Sequence, residues 1–186
     1  QDFFISTLKI IPTSEHSIAS EELCPHASEV VRQLQQAGYE SYIVGGGVRD
    51  LLLGSVPKDF DVATSATPEQ VQQVFPRCRL IGRRFRLAHV RLRGVLTEVA
   101  TFRGQHDSAG DDENDHGRIL RDNVWGDVEQ DAVRRDFTIN GLYAGADGAV
   151  IDLVGGLADI ESRTVRFIGD AEARILAAVG KKLGDV

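Results

Sequence analysis

Apolar residues recur along this chain with two periods, and the change from one to the other marks its elements. Between Ser20 and Ala37 the apolar positions Ala27, Val30, Val31, Leu34 and Ala37 fall at helical spacing. Pro25 suits the first turn of that helix and Gly38 its stop. Tyr42 to Val44 reads as a short buried strand, followed by a turn or two of helix over Val48–Leu53 that Gly54 ends. Phe60 to Ala63 reads as a second strand. Thr67-Pro68-Glu69 starts a helix, with Thr67 as N-cap and Pro68 in the first helical position, and the helix stops before Pro76. Residues 78–81, 86–92 and 95–102 read as strands, the last two joined at Arg93-Gly94 as a hairpin. Residues 104–117 carry no periodicity and read as a mobile loop. Asp127 to Arg135 is helical. Val150–Leu153 and Val165–Ile168 read as strands with a turn at Gly155-Gly156. Residues 1–19 are a weakly patterned lead-in, and no internal repeat is visible. The order predicts an α/β or α+β fold, a small mixed sheet flanked by a few helices, rather than a long βαβ array.

Composition narrows this only a little. At 186 residues and 42% hydrophobic content, one domain or a domain with an appendage is expected. The apolar runs are too short to span a bilayer, and the first residues lack the basic region of a signal peptide. The chain has no methionine, so it is expected to be a fragment of a longer protein. Cys24 and Cys78 have no metal-like spacing and read as two reduced thiols.

Charge changes the picture more. The net charge is −7, which excludes a simple basic nucleic-acid coat. Yet residues 77–93 hold seven arginines and no acid, while residues 107–115 hold five acids. Arginine outnumbers lysine 17 to 4, and its fork suits phosphate. The run is either a solvated charged face or a surface for RNA or triphosphate. Interleaved apolar residues put some of its arginines on one strand face and favour the second reading.

The candidate chemistry lies where strand one opens into Gly45-Gly46-Gly47-Val48-Arg49-Asp50, with Asp59-Phe60-Asp61 nine residues later. Read alone, three glycines make a tight turn, and Asp59 and Asp61 make a solvated strand end. Read together, they fit a phosphate cradle beside a pair of metal-holding carboxylates. Glycine lets backbone N–H groups approach phosphate oxygens. Carboxylates at i and i+2 on a strand share a side, roughly 6.6 Å apart, and suit one or two divalent ions beside a triphosphate. The segment matches neither Gly-x-x-x-x-Gly-Lys-Ser/Thr nor Gly-x-Gly-x-x-Gly. A third carboxylate is expected for two-metal chemistry, and Glu98 is the candidate, since it interrupts an otherwise apolar strand. The alternative for Glu98 is an edge strand facing water. His89 reads as a packed, hydrogen-bonded histidine more readily than as a ligand or base. A second cluster, Arg134-Arg135-Asp136-Phe137-Thr138-Ile139-Asn140, could clamp phosphate through arginine and hold ribose hydroxyls through Asp136 and Asn140. Its bland alternative is a helix-end salt bridge and a turn.

These segments, with Asp152-Leu153-Val154-Gly155-Gly156, resemble in order the class II nucleotidyltransferases of the polymerase-β superfamily, the bacterial poly(A) polymerases and tRNA CCA-adding enzymes, from about residue 30 to 172. The stretch from Leu80 to Val90 is similar to the segment that marks poly(A) polymerases of Gram-negative bacteria, and Ile11-Pro12 through Ile18 looks like their N-terminal region. The resemblance implies a lead-in and first helix over 1–40, a head domain with a five-stranded palm over 41–170, and the start of a helical neck over 171–186. It implies Mg²⁺ on Asp59 and Asp61, two ions in the two-metal reading, with Asp136 as a further functional acid beside the Glu98 that the strand pattern nominates. By the resemblance Gly46, Arg49 and Arg135 would hold the nucleotide; the residue patterns read above add Gly45 and Asn140 to the ATP site and nominate Arg83, Arg84 and Arg86 for contact with RNA or phosphate. It implies a bacterial, cytoplasmic enzyme of mRNA processing, adding AMP from ATP to RNA 3′ ends. The family's base-reading Glu-Asp-x-x-Arg motif does not follow Arg174, where Ile175-Leu176-Ala177-Ala178-Val179 stands instead. Selectivity between ATP and CTP is therefore not readable here. A CCA-adding enzyme and a catalytically silent nucleotide- or RNA-binding module are the alternatives.

Overall fold

The computed structural model describes residues 9–18, 23–82, 86–104, 125–173 and 175. Its frame is one eight-stranded mixed sheet, ordered β1-β8-β7-β2-β3-β6-β5-β4. The strands are β1 (Lys9–Ile11), β2 (Ser41–Val44), β3 (Asp61–Thr64), β4 (Cys78–Ile81), β5 (Leu87–Leu92), β6 (Val95–Thr101), β7 (Leu142–Ala144) and β8 (Val150–Asp152). The β3–β6 pair is parallel, and every other pair is antiparallel. α1 (Pro25–Gln36) and α3 (Pro68–Val74) cover one face. Alternation sends Ile43, Val62, Ala88, Val90 and Val99 to that side, where each is almost wholly buried. They meet Val30, Val31 and Leu34 of α1, which are also fully buried. Each Val, Ile and Leu side chain among them contributes roughly 1.5–3 kcal/mol by leaving water.

The other face is divided. Toward β7 it is closed by a second cluster, in which Val44, Ala63, Phe102 and Tyr143 pack with Val128 and Ala132 of α4 (Val128–Arg134). Toward β4 it is open, and Ile81 and Leu96 are each 46% exposed. The candidate site lies on the boundary between the covered and open halves.

Helix ends follow the sequence closely. Pro25 begins α1, and Gly38 (φ 90°) follows it. Thr67 caps α3 in a reciprocal capping box with Gln70, and Asp127 does the same for α4 with Gln130. At the β5–β6 hairpin, Arg93 (φ 49°) and Gly94 (φ 88°) form the two-residue turn that positive φ at both positions predicts.

The differences are physical. The described sheet has eight strands where the resemblance implied five. β1 and β7 have three residues each, too few to display a period, and β7 is buried throughout. Residues 165–168 form no strand, because only Phe137 and Phe167 bridge there and Val165 is exposed. Gly155-Gly156 opens a helix, α5 (Gly156–Glu161), rather than a turn between strands. Residues 171–173 are helical, with Asp170 accepting from the N–H groups of Glu172 and Ala173. Most of the expected loop over 104–117 and of the segment after 173 lies outside the described residues. Cys24 and Cys78 are free thiols. Among the described residues no helix is long and apolar enough to cross a membrane.

Candidate active site

β2 ends at Val44, and Gly45 (φ 74°, ψ −141°) turns the chain into α2 (Gly46–Leu52). That conformation excludes an ordinary side chain. Among the described residues no side chain caps α2, whose first N–H groups have no partner within the helix. Gly47 has a different reason to be glycine. A Cβ there would lie 3.1 Å from the Asp59 carbonyl oxygen and 3.2 Å from the Phe60 ring. The glycines thus supply both the turn and the close approach of α2 to the segment bearing the two aspartates.

The carboxylates come together through strand register. Asp61 begins β3 and pairs with Val44 of β2 on one side and Glu98 of β6 on the other. Glu98 pairs with His89 of β5, which pairs with Arg79 of β4. Directly paired residues share a face, so Asp61, Glu98, His89 and Arg79 form one row across four strands. Asp59 precedes the strand rather than lying on it. Its charge still reaches Asp61: the Asp61 carboxyl is pushed up by burial first, then by Glu98 and by Asp59, while Arg135 pulls it down. Glu98 lies on an interior strand, half exposed on the open face, so it is neither buried nor on an edge. His89 Nε2 is 3.4 Å from Glu98 Oε1.

This donor set fits a hard divalent cation. It offers carboxylate oxygens, and the charges of Glu98 and Asp59 add to burial in raising Asp61. Among the described residues no three His, Cys, Asp or Glu side chains form a ready-made chelating group.

Arg135 stands opposite. Its Nε donates to the Tyr143 hydroxyl (3.0 Å) and its Nη2 to Asp131 Oδ2 (3.0 Å). The Tyr143 hydroxyl donates to the same Asp131 oxygen (2.8 Å), and the guanidinium carbon is 5.1 Å from the Tyr143 ring centre. Burial works against the charge of Arg135, but Tyr143 and Asp131 outweigh it and raise its pKa. Nη1 lies 3.7 Å from where a Cβ on Gly45 would stand, so it faces the glycine turn. Asp131 and Tyr143 were not visible as site residues in the sequence. The spacing of Asp131, four before Arg135 on a helix, was the available signal.

Arg49 lies one turn along α2. It donates to Asp50 Oδ1 through Nε (2.9 Å) and Nη2 (2.7 Å), and to Asn140 Oδ1 through Nη1 (2.8 Å). Asn140 donates to Asp136 Oδ1 (3.2 Å), which also accepts from the Phe137 N–H (2.7 Å). The sequence-derived residues therefore form two groups. Gly45, Gly46, Arg135, Asp59, Asp61 and Glu98 surround the strand ends. Arg49, Asn140 and exposed Asp136 form a chain of contacts joined to them through α2. Two further acids brace this ground. Asp152 accepts four consecutive N–H groups, from Val154 to Leu157. Asp159 accepts from the Thr138 hydroxyl and from Arg166.

The arginine run divides by strand face. Arg79 and Arg91 share the open face with His89. Arg86 pairs instead with Glu69 of α3 (2.8 Å) at an exposed position. Arg83 and Arg84 lie outside the described residues.

Comparison with known proteins identifies the family and the fold. Residues 41–166 match the family described as the poly(A) polymerase head domain. The chain is 51% identical over 173 residues to poly(A) polymerase I of Salmonella typhimurium, covering 90% of this chain and 37% of that protein. It is 43% identical over 145 residues to a CCA-adding enzyme of Geobacillus thermodenitrificans, covering 78% of this chain and 35% of that protein. Among solved structures, the CCA-adding enzyme of Bacillus stearothermophilus in complex with CTP superposes with a TM-score of 0.68 at 37% identity, covering 80% of this chain and 34% of that one. This chain therefore spans little more than a third of such relatives.

Proposed function

The chain belongs to the poly(A) polymerase head-domain family, and from that premise we propose that residues 41–170 are the catalytic head of a template-independent RNA 3′-adenylyltransferase. The observation that carries this reading is the row of Asp61 and Glu98 in parallel register, with Asp59 close enough to raise the Asp61 carboxyl. Such a cluster invites divalent cations, and it lies beside a glycine turn and an arginine that face the same space.

In this reading ATP lies with its β- and γ-phosphates toward Gly45, Gly46 and the free Nη1 of Arg135. Arg49 and Asn140 hold the sugar side, with Asp136 orienting Asn140. The RNA 3′-hydroxyl attacks the α-phosphorus, forming the new O–P bond as the bridging oxygen to the β-phosphorus leaves with pyrophosphate, and the hydroxyl proton is released. Mg²⁺, two ions held by Asp59 and Asp61, would acidify the attacking hydroxyl and neutralise the leaving charge. The carboxylates hold the reacting groups in place, and Glu98 closes the site on the side away from β2.

Greater identity and coverage against poly(A) polymerase I than against the CCA-adding enzyme favour ATP as the sole nucleotide. The superposition on a CTP complex keeps the CCA-adding reading alive. A primer-extension assay on the longest form of the protein its gene encodes, with each of the four nucleoside triphosphates in turn, separates them. AMP alone should be added. Steady incorporation of two C residues into a tRNA lacking its 3′ end would reverse the assignment. Asp59→Ala and Asp61→Ala should each lower turnover by roughly three or more decades with the fold intact, and near-normal turnover in either would remove the metal assignment.

A further inference from the structure

We propose that the open face of β5 and β4, where Arg79 and Arg91 flank His89, is the track along which the single-stranded RNA primer reaches the carboxylates. This rests on the nucleotidyl-transfer reading above and adds a direction to it.

The direction follows from the layout. Everything suited to a triphosphate, Gly45 and the free edge of Arg135, lies on the β2 and β7 side of Asp61. In phosphoryl transfer the attacking and leaving oxygens stand roughly in line on opposite sides of phosphorus. Pyrophosphate leaving toward β2 puts the attacking hydroxyl on the β6 side of Asp61, beyond which are Glu98, His89 and Arg79. From Asp61 to Arg79 is three strand spacings, roughly 14 Å.

The surface has the chemistry such a strand requires. Arg79 is exposed, and no carboxylate among the described residues is within ion-pair distance of it. Arg91 is exposed, and its guanidinium makes one 3.2 Å contact, to the Gly94 carbonyl. Glu98 is the one acid that strand alternation puts on this part of the sheet. Ile81 and Leu96 lie on the same face, each 46% exposed, and offer apolar contact to bases. In a chain of net charge −7, a positive open face running outward from the carboxylates matches a polyanion entering from that side. The contacts would be to phosphates, so they would not read sequence.

The test compares the Arg79→Gln, Arg91→Gln double variant with wild type, in the longest form of the protein. Fluorescence anisotropy with a labelled single-stranded oligoribonucleotide reads the contact without turnover. Affinity should fall at least ~10-fold, and the slope of log affinity against log salt should shrink by roughly 1.4, or ~0.7 for each of two lost contacts. The Michaelis constant for ATP should not move. Arg32→Gln removes a charge from exposed Arg32 on α1, in the layer behind the sheet, and should leave RNA affinity unchanged. Unchanged affinity and salt slope in the double variant overturn the proposal, as does an equal loss in Arg32→Gln. Pyrophosphate release from ATP and primer is measured separately in wild type. Its absence would sink the adenylyltransferase reading whichever way the binding result falls.

Discussion

Among the described residues Arg135 spends two of its three guanidinium nitrogens on protein partners, and the third is the one the proposed site gives to a ligand. Nε and Nη2 are committed to Tyr143 and Asp131, and Nη1 faces Gly45. In the proposed site the residue would be a binding group as well as the partner that neutralises a buried acid. Arg135→Ala should raise the Michaelis constant for ATP and also lower the melting temperature, because it takes from buried Asp131 the guanidinium that neutralises it, at a cost of about 1–3 kcal/mol. Tyr143→Phe leaves the bridge to Asp131 in place and should cost ~1 kcal/mol with a smaller rise in that constant. Thermal melts and ATP kinetics on both variants check this. An unchanged melting temperature in Arg135→Ala would show that the fork does no structural work, and an unchanged Michaelis constant would take Arg135 away from the nucleotide. The chemistry at this scale was readable where it depended on local spacing. Asp59 and Asp61 stood two apart, and Glu98 interrupted an apolar run. Tyr143 was not readable, since its role comes from a contact between β7 and the end of α4 that no local pattern carries. The orientation of Arg86 toward Glu69 was hidden for the same reason: alternation assigns a face only once the strand's register and neighbours are known.

At the scale of elements, the ground under Asn140 depends on one glycine. A Cβ on Gly156, the first residue of α5, would stand 2.2 Å from the Thr138 carbonyl oxygen and 2.9 Å from its carbon. Both are backbone atoms of the short 3₁₀ turn Thr138–Asn140, so no side chain can swing aside. Gly156→Ala must push that turn away from α5, and with it the Asn140 amide that accepts from Arg49. The expected cost is ~1–3 kcal/mol, as for overpacking, together with a loss of ATP affinity. Gly38→Ala is the comparison. It has nothing within 4 Å of the added carbon and should cost only the strain of its positive φ, about 1–2 kcal/mol, with ATP affinity intact. If Gly156→Ala bound ATP as wild type does, the turn would not be what positions Arg49. The helices here were legible because caps and prolines announce them, as Thr67-Pro68 does for α3. α5 was not, because Gly155-Gly156 signals a turn in sequence. The residue that converts it to a helix start is Asp152, whose carboxylate gathers the N–H groups of Val154 through Leu157.

On the scale of the whole molecule, the site imposes a cost on the fold that a cation would remove. The Asp61 carboxyl is raised above its ordinary value by burial and by the charges of Glu98 and Asp59. Between the ordinary and the raised value, the folded protein keeps a proton that the unfolded chain has already released. Stability therefore falls as pH rises through that window, and the whole cost is present above it. Asp61→Asn removes the titrating charge. In chelator-treated protein at neutral pH it should melt above wild type, and the advantage should fade as pH drops toward the ordinary carboxylate range near ~4. Adding Mg²⁺ should reverse the comparison. An ion held by the folded wild type would raise its melting temperature by mass action, while Asp61→Asn, lacking the proposed ligand, should respond weakly. Melting curves at several pH values, with and without Mg²⁺, measure both effects. A metal-free variant that melts no higher than wild type at neutral pH would mean that Arg135 already neutralises the cluster. The same ion response in both proteins would place the cation elsewhere.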